Sequence, residues 1–296
     1  MADEERREAA PTAERNASAP GTGLEGAAAQ IAGLHRRSCV LLIAPTIDRA
    51  IVARLRDALA PVAAAAVDVI LFSHGGDISA AYLLARELRR HAETITVFVP
   101  LFAKSAATLL CLAADELVLG PLGELGPLDA QGNTKVPADT SRLVPFKALE
   151  QLDEAVFDSY EKLVARIIKG NGVTPLEACT KASELTGALY GPLVASVDPI
   201  RMAESARGLE LASQYACRLL RRYRGELHDH GCRIVHRLIH GYPSHGFVID
   251  LEELRDLELP ARPPTPDEAP IVEGLARILM NHDDGPALIQ VVPAAE

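Results

Sequence analysis

The chain has 296 residues, of which 48% are apolar and 24% are charged, a composition ordinary for a folded protein that excludes collagen-like and low-complexity chains. Its 30 basic and 40 acidic side chains give a net charge of −10, the wrong sign for a protein that binds nucleic acid mainly by neutralising phosphates. The five cysteines are widely spaced and form no CxxC pair, so we expect a reducing, cytoplasmic location rather than a disulfide framework or a cysteine zinc site.

The beginning of the sequence favours neither export nor a membrane anchor. Residues 1–37 are rich in Ala, Gly, Glu and Arg and show no sustained apolar period, so they are predicted to form a disordered tail. They also lack the apolar stretch of roughly 7–15 residues that a secretory signal needs. The most apolar run, residues 59–72, is shorter than the ~20 residues that cross a bilayer, and no integral membrane segment is expected.

After this tail, strand and helix patterns alternate. Apolar runs at residues 39–44, 67–72 and 94–99 are typical of strands buried on both faces. Between them, residues 48–60 show apolar side chains at helical spacing, and a second helical segment ends at His91. This alternation predicts an α/β fold with a mostly parallel sheet and right-handed crossovers.

The second half of the sequence is predicted to be mainly helical. A small-residue helix reaching Ala114 and a fourth strand at 116–119 precede a long Gly- and Pro-punctuated loop over residues 120–145. Helical patterns then cover residues 146–169, 174–187 and 197–224. A Pro-rich stretch begins at residue 260, so we expect one domain over residues 38–258 and a linker with a C-terminal extension over 259–296.

Two local features together suggest acyl-transfer chemistry. Gly75 and Gly76 form a turn after the second strand, where backbone N–H groups free of side chains can act as oxyanion donors. Ser105 opens the small-residue helix after the third strand and can supply a nucleophilic hydroxyl. Each feature alone is weak, because Gly-Gly turns are common and a serine before a helix is usually an N-cap.

Three stretches together resemble the serine dehydrogenase proteinase family, a distant relative of Clp-type peptidases and of signal peptide peptidase A. They are Leu71-Phe-Ser-His-Gly-Gly-Asp-Ile-Ser-Ala-Ala-Tyr-Leu-Leu-Ala-Arg86, Val99-Pro-Leu-Phe-Ala-Lys-Ser-Ala-Ala-Thr-Leu-Leu110 and Ala114-Asp-Glu-Leu-Val-Leu-Gly-Pro-Leu-Gly-Glu-Leu-Gly-Pro-Leu-Asp129. The resemblance is strong over residues 66–131 and weaker to 258. It implies a Clp/crotonase-type fold of stacked βαβ units, with a helical C-terminal part.

The resemblance also implies the roles of three residues. Ser105 is the nucleophile, and the amides of Gly76 and Ala106 form the oxyanion hole. The sequence departs from the family pattern beside this site, since His74 stands where the family usually has proline and Ala107 where it has glycine.

The general base is left open between two residues. Lys147 lies 42 residues after Ser105 (147 − 105 = 42), a separation similar to that in the Ser/Lys dyads of membrane-associated relatives. His245 matches a histidine of the family and completes a possible triad in the order Ser105, Asp129, His245. Lys104 adjoins the serine and is expected to point away from its hydroxyl.

The function expected from these residues is hydrolysis of peptide bonds in a peptide or protein substrate, with no cofactor and no metal. The resemblance to the family also implies a homo-oligomer. The chain has no GxGxxG turn after a strand, so the family name does not imply a nicotinamide cofactor. The alternative is a catalytically inactive family member that binds peptides or a partner protein through the same cleft. Acyl-CoA chemistry on the related crotonase fold ranks last.

Overall fold

The structure is a computed structural model of the chain, and it describes residues 20–61, 65–128, 143–223, 230–281 and 286–294. Within these residues the main sheet has six strands: β1 (Ser38–Ile43), β2 (Ala66–Phe72), β3 (Thr94–Val99), β5 (Glu116–Leu119), β7 (Ala261–Arg262) and β8 (Leu288–Val292). A second sheet pairs β4 (Phe102–Ala103) with β6 (Glu124–Leu125) in parallel.

The main sheet has the order β7-β5-β3-β2-β1-β8. Every neighbouring pair is parallel except β1 with β8, which is antiparallel. The α/β fold with a mostly parallel sheet and a helical C-terminal part, expected from the sequence, is therefore confirmed.

Ten helices lie within the described residues. They are α1 (Pro20–His35), α2 (Arg49–Leu59), α3 (Ile78–His91), α4 (Ala106–Cys111), α5 (Val144–Asn171), α6 (Pro175–Ala195), α7 (Pro199–Tyr223), α8 (His230–His240), α9 (Leu251–Asp256) and α10 (Ala269–Met280). No helix in the described part of the chain is both long enough and apolar enough to cross a bilayer.

Both faces of the sheet are buried, as the continuous apolar strands predict. Side chains alternate along β1, so Val40 and Leu42 join one apolar cluster with helices α2, α3 and α4. Leu41 and Ile43 join the other, which includes residues of α1 and α10.

The N-terminal and C-terminal parts differ from the sequence-based expectation. The sequence predicts a disordered tail over residues 1–37, but residues 20–35 form α1, which buries Leu24 and Ile31 against the sheet. The Pro-rich stretch was expected to end the folded core, but it contains β7, and α10 and β8 follow it. These terminal helices and strands are short or rich in alanine, so their sequences show too little periodicity to predict that they pack on the sheet. Residues 1–19 lie outside the described residues.

A partly buried ionic cluster connects these outer segments to the sheet. Arg262 in β7 forms paired contacts of 2.6 and 2.9 Å with Glu268, and its Nη2 lies 3.0 Å from an oxygen of Glu116 in β5. His35 at the end of α1 lies between two carboxylates, with Nδ1 2.6 Å from Asp68 and Nε2 3.1 Å from Glu268. The cluster therefore joins α1, β2, β5 and β7 to the start of α10.

Candidate active site

The Gly-Gly turn and Ser105 meet at one edge of the sheet, where parallel strands β2 and β3 both end. Backbone bonds join the two segments: the amide of Ser73 donates to the carbonyl of Phe102 at 3.3 Å, and the amide of Lys104 to the carbonyl of Ser73 at 2.9 Å. A Cβ atom built on Gly75 would lie 2.8 Å from the Cβ atom of Ser105. The turn and the serine, 30 residues apart in sequence (105 − 75 = 30), are thus in direct contact.

Ser105 has an unusual backbone for its position. It precedes α4 with φ 53° and ψ −116°, whereas an ordinary N-cap is extended and accepts a bond from the first turn. Its side chain makes no capping bond, and its hydroxyl has no hydrogen-bond partner among the described residues. Strained non-glycine residues of this kind concentrate at functional sites.

Two backbone amides beside the serine have no acceptor in the part of the chain that the structure describes. Ala106 is the first residue of α4, where helix geometry provides none. Gly76 lies in a parallel bridge with Ile47, but the bonds of that bridge use the carbonyl of Gly75 and the amide of Asp77. Within the described ranges, no residue accepts a hydrogen bond from the amide of Gly76 or Ala106.

Glycine is required at position 76 for steric reasons. Its φ is +140°, and an added Cβ atom would lie 2.3 Å from the carbonyl oxygen of Ile47 and 2.7 Å from its nitrogen. Backbone atoms cannot move apart easily at such distances, so any side chain at position 76 would displace the segment around Ile47, between β1 and α2.

The side chain of Lys104 is directed into a cluster of acceptors rather than left in solvent. Its Nζ lies 2.6 Å from a carboxylate oxygen of Glu124 and within hydrogen-bond distance of the carbonyls of Leu125 and Phe247, at 3.3 and 3.4 Å. Lys104 therefore connects β4, β6 and the segment that carries His245, directly beside Ser105.

His245 lies on a tightly held loop between α8 and α9. The residue is 8% exposed and buried among its neighbours. After it, Ile249 exchanges two backbone hydrogen bonds with Leu125 of β6, at 2.9 and 3.0 Å. Because β6 pairs with β4, and β4 ends two residues before Ser105, this ladder brings the histidine loop to the edge of the sheet that carries the serine.

Lys147 lies in the first turn of α5, and it holds the same loop from the other side. Its ammonium donates to the carbonyl of Tyr242 at 3.1 Å and reaches that of Pro243 at 3.5 Å. The pKa of His240 is lowered mainly by burial, and the charges of His236 and Lys147 lower it further. The two lysines thus anchor residues on both sides of His245.

Two predicted residues remain, Asp129 and His74. Asp129 is outside the described residues; the residue before it, Leu128, is held by a bond from its amide to the carbonyl of Leu238 at 2.8 Å. His74 is exposed, and its ring lies 4.6 Å from that of Phe102, centre to centre.

Sequence reasoning missed one supporting residue, Thr108. Its hydroxyl lies 3.0 Å from the carbonyl of Ala103 and 2.8 Å from that of Gly126, and so bridges α4 to both strands of the small sheet. The signal was a polar residue in an otherwise apolar helix, but its partners could not be read from spacing.

Part of the chain is similar to a known protein family. Residues 31–169 match the family of ClpP-like SDH-type serine proteinases. The family expected from the sequence is thereby confirmed. The matched segment includes Gly76, Ser105, Ala106 and Lys147, whereas His245 lies beyond it.

Two similar proteins come from Methanocaldococcus jannaschii, and both are described as uncharacterised. The chain is 34% identical to MJ0137 over 104 residues, which are 35% of this chain and 34% of that protein. It is 30% identical to MJ1495 over 109 residues, 31% of this chain and 37% of that protein. The match thus covers about a third of each relative's length.

Proposed function

We propose that this protein is a serine peptidase with Ser105 as its nucleophile. One observation carries the proposal: Ser105 is held at φ 53°, its side chain makes no capping bond, and it contacts a turn in which the amide of Gly76 has no acceptor among the described residues. A hydroxyl kept free at the cost of backbone strain is hard to explain by helix capping.

In the proposed reaction, the hydroxyl oxygen of Ser105 attacks the carbonyl carbon of a peptide bond while a base takes the hydroxyl proton. The amides of Gly76 and Ala106 hold the resulting oxyanion. The base returns its proton to the leaving amine, leaving an acyl-enzyme that water hydrolyses by the same route.

Loop geometry favours His245 over Lys147 as the base. The nitrogen of Lys147 lies 3.1 Å from the carbonyl oxygen of Tyr242 and 3.5 Å from that of Pro243, so this side chain is already engaged in contacts with the loop. Lys147 and Lys104 together fix the loop that carries His245. Asp129 follows the fixed Leu128 and is proposed to orient the imidazole, as the acid of a triad does.

A cytoplasmic location is also proposed. Cys39, Cys111, Cys179 and Cys217 form no disulfide within the described part of the chain, as expected in a reducing compartment. Burial raises the pKa of Cys39 and Cys111, so neither is activated as a rival nucleophile.

The test is covalent labelling with a serine-reactive fluorophosphonate, followed by mapping of the modified peptide. We expect the parent protein to be labelled at Ser105, Ser105→Ala to lose labelling and peptide turnover, and Ser79→Ala, a nearby helix serine, to keep both. If the parent binds peptides but is never labelled, the chain is an inactive binding member of the family and the peptidase proposal fails.

A further inference from the structure

The helices α3 and α7 meet along a row of tyrosine and arginine side chains. The rings of Tyr82 and Tyr215 stack with their centres 4.3 Å apart and 5° between their planes. The guanidinium of Arg86 lies 5.9 Å from the centre of the Tyr82 ring, and that of Arg218 lies 5.9 Å from the centre of the Tyr215 ring. Four planar groups from two helices are thus in consecutive contact.

The row continues towards the C-terminal ends of both helices. The guanidinium of Arg89 in α3 lies 4.8 Å from the centre of the Tyr223 ring in α7, and that of Arg222 lies 5.8 Å from the same centre. Because Tyr82 contacts Tyr215 and Arg89 contacts Tyr223, the two helices run in the same direction along this contact. We call the surface beside it the α3–α7 arginine face, which is formed by Arg86, Arg89, Arg218, Arg221 and Arg222.

Most arginines of this face have no carboxylate partner. Arg89 pairs with Asp115, with 2.9 Å between nitrogen and oxygen. In the described part of the chain, no carboxylate lies within ion-pair distance of the exposed side chains of Arg86, Arg218, Arg221 and Arg222. Like charges on neighbouring helix turns repel each other. Unpaired positive charges are therefore gathered on one face of a chain whose net charge is −10.

The ends of the helices do not by themselves account for this arrangement. The dipole of a helix favours positive side chains in its last turn, which explains Arg221 and Arg222. Arg86 precedes the last turn of α3, and the dipole gives no reason for stacked guanidiniums. A guanidinium stacked on a ring is held in place while its N–H edge stays available, a geometry suited to binding a carboxylate with two hydrogen bonds.

We propose that the α3–α7 arginine face binds an acidic segment of a protein substrate. Its unpaired guanidiniums are complementary in charge and hydrogen bonding to a short stretch of glutamate or aspartate side chains. Nucleic acid fits less well, because its complexes commonly engage about 6–10 phosphates and the net charge of −10 opposes them.

The position of the face relative to Ser105 identifies the partner as a substrate, a step that rests on the proposed function. The helix α3 begins at Ile78, two residues after Gly76 of the proposed oxyanion hole (78 − 76 = 2). Arg86 lies eight residues further on (86 − 78 = 8), about 12 Å along the helix at 1.5 Å per residue. An extended peptide covers that distance with about four residues. A substrate held on the face can therefore present to Ser105 a bond a few residues away from its acidic segment.

The first test measures binding in the full chain with Ser105→Ala, so that no cleavage through Ser105 disturbs it. The probe is a fluorescein-labelled peptide of alternating glutamate and glycine, and its control has glutamine in place of glutamate. We expect fluorescence anisotropy to show binding of the glutamate peptide alone, and Arg218→Gln/Arg222→Gln to bind it at least about tenfold more weakly. Arg201→Gln/Arg207→Gln, at two exposed arginines in the first half of the same helix, removes the same charge and should leave binding unchanged.

Arg221→Gln is a second variant, in case loss of the ring contacts of Arg218 and Arg222 disturbs α7. Its side chain contacts no ring among the described residues, so it should weaken binding about threefold with unchanged thermal unfolding. The proposal is overturned if the glutamate peptide does not bind up to ~1 mM, if both arginine pairs weaken binding equally, or if single-stranded RNA or phosphatidylserine vesicles bind this face more tightly than the peptide.

The second test separates this inference from the proposed function. For peptides with a glutamate-rich stretch about four residues from a cleavable bond, we expect a KM at least about fivefold lower than for their glutamine versions. Arg218→Gln/Arg222→Gln should lose that difference, with kcat and fluorophosphonate labelling of Ser105 unchanged. Equal KM values with intact labelling would overturn the substrate assignment, whereas absent labelling with intact peptide binding would overturn the peptidase proposal and not the acidic docking site.

Discussion

At the scale of single residues, the backbone of Ser105 changes what its replacement should do. A serine N-cap that accepts a bond from the first turn contributes about 1 kcal/mol, which Ser105→Ala would lose. Because the side chain makes no such bond, we expect the variant to unfold at the parent's temperature while its chemistry is abolished. This separation makes Ser105→Ala a clean test of the nucleophile.

The same scale of argument makes Gly76 a poor probe of the oxyanion hole. We expect Gly76→Ala to lower the free energy of unfolding by more than ~2 kcal/mol, because its φ of +140° disfavours a side chain and the Cβ atom would collide with the backbone of Ile47. Urea unfolding measures this, with Gly26→Ala in α1 as the control, since its Cβ atom meets nothing within 4 Å. A fully stable Gly76→Ala protein would contradict the geometry of this turn.

The choice of base can be tested with two variants. We expect His245→Ala to slow acylation of Ser105 by an activated ester by ~10²–10⁴-fold and to abolish the loss of rate that protonation of an imidazole causes on the acid side of the pH profile. Lys147→Met should slow the reaction less and keep the parent's acid limb, because the lysine holds the loop by its bonds to Tyr242 and Pro243.

The reverse pattern, with Lys147→Met inactive and His245→Ala retaining the acid limb, would establish a Ser/Lys dyad instead. Thermal unfolding of both variants serves as the control, since a loop anchor that is lost altogether would lower stability as well as rate.

At the scale of elements, the Arg262 cluster joins segments distant in sequence and its loss should be costly. Arg262→Met leaves the carboxylate of Glu268, which is 1% exposed, without its two guanidinium contacts. Removing one partner of a buried ion pair costs about 3–5 kcal/mol, and we expect a loss near the lower value because His35 remains. Arg277→Met, which removes an exposed pair with Glu273, should cost under about 0.5 kcal/mol.

The contribution of Glu268 to the stability of the fold decreases as the pH falls. Burial alone would raise the pKa of Glu268, but the bonds from Arg262 and the amide of Thr265 outweigh it and lower the pKa to about 2. The stability from Glu268 is therefore present above the ordinary glutamate pKa of ~4.3 and is lost as the pH falls towards about 2. Burial raises the pKa of Asp68, so the contribution of Asp68 to stability decreases as the pH rises, opposite to that of Glu268. Arg262→Met should weaken the Glu268 dependence in acid unfolding curves.

Some strands could be predicted from the sequence, whereas the shortest strands and the long-range contacts could not. The apolar runs of β1, β2 and β3 and the helices after them are local signals, and they were predicted. The two-residue strands β4, β6 and β7 are too short to give a period, and the role of Lys104 depends on Phe247, 143 residues away. Contacts made across such separations depend on the fold, so the sequence could suggest Ser105 as a candidate nucleophile but could not predict the residues that surround it.

At the scale of the whole molecule, the proposed active site and the ionic cluster lie at opposite ends of the strands of one sheet. Ser105 and the Gly-Gly turn follow the carboxyl ends of β2 and β3, where ligands bind in open α/β sheets. The ionic cluster of Asp68, Glu116 and Arg262 lies towards the amino ends of β2 and β5. We therefore expect substitutions around Ser105 to leave the ionic cluster intact, and substitutions in the ionic cluster to leave the Ser105 site intact.

The antiparallel strand β8 has a consequence for how the protein is made. Its partner β1 leaves the ribosome early, but β8 is synthesised 250 residues later (288 − 38 = 250). At 5–20 residues per second, the outer edge of β1 stays unpaired for roughly 12–50 s of translation. During that interval the nascent chain presents a row of open hydrogen-bonding groups to other nascent chains, and holding that edge covered is a task for the chaperones that meet it at the tunnel exit.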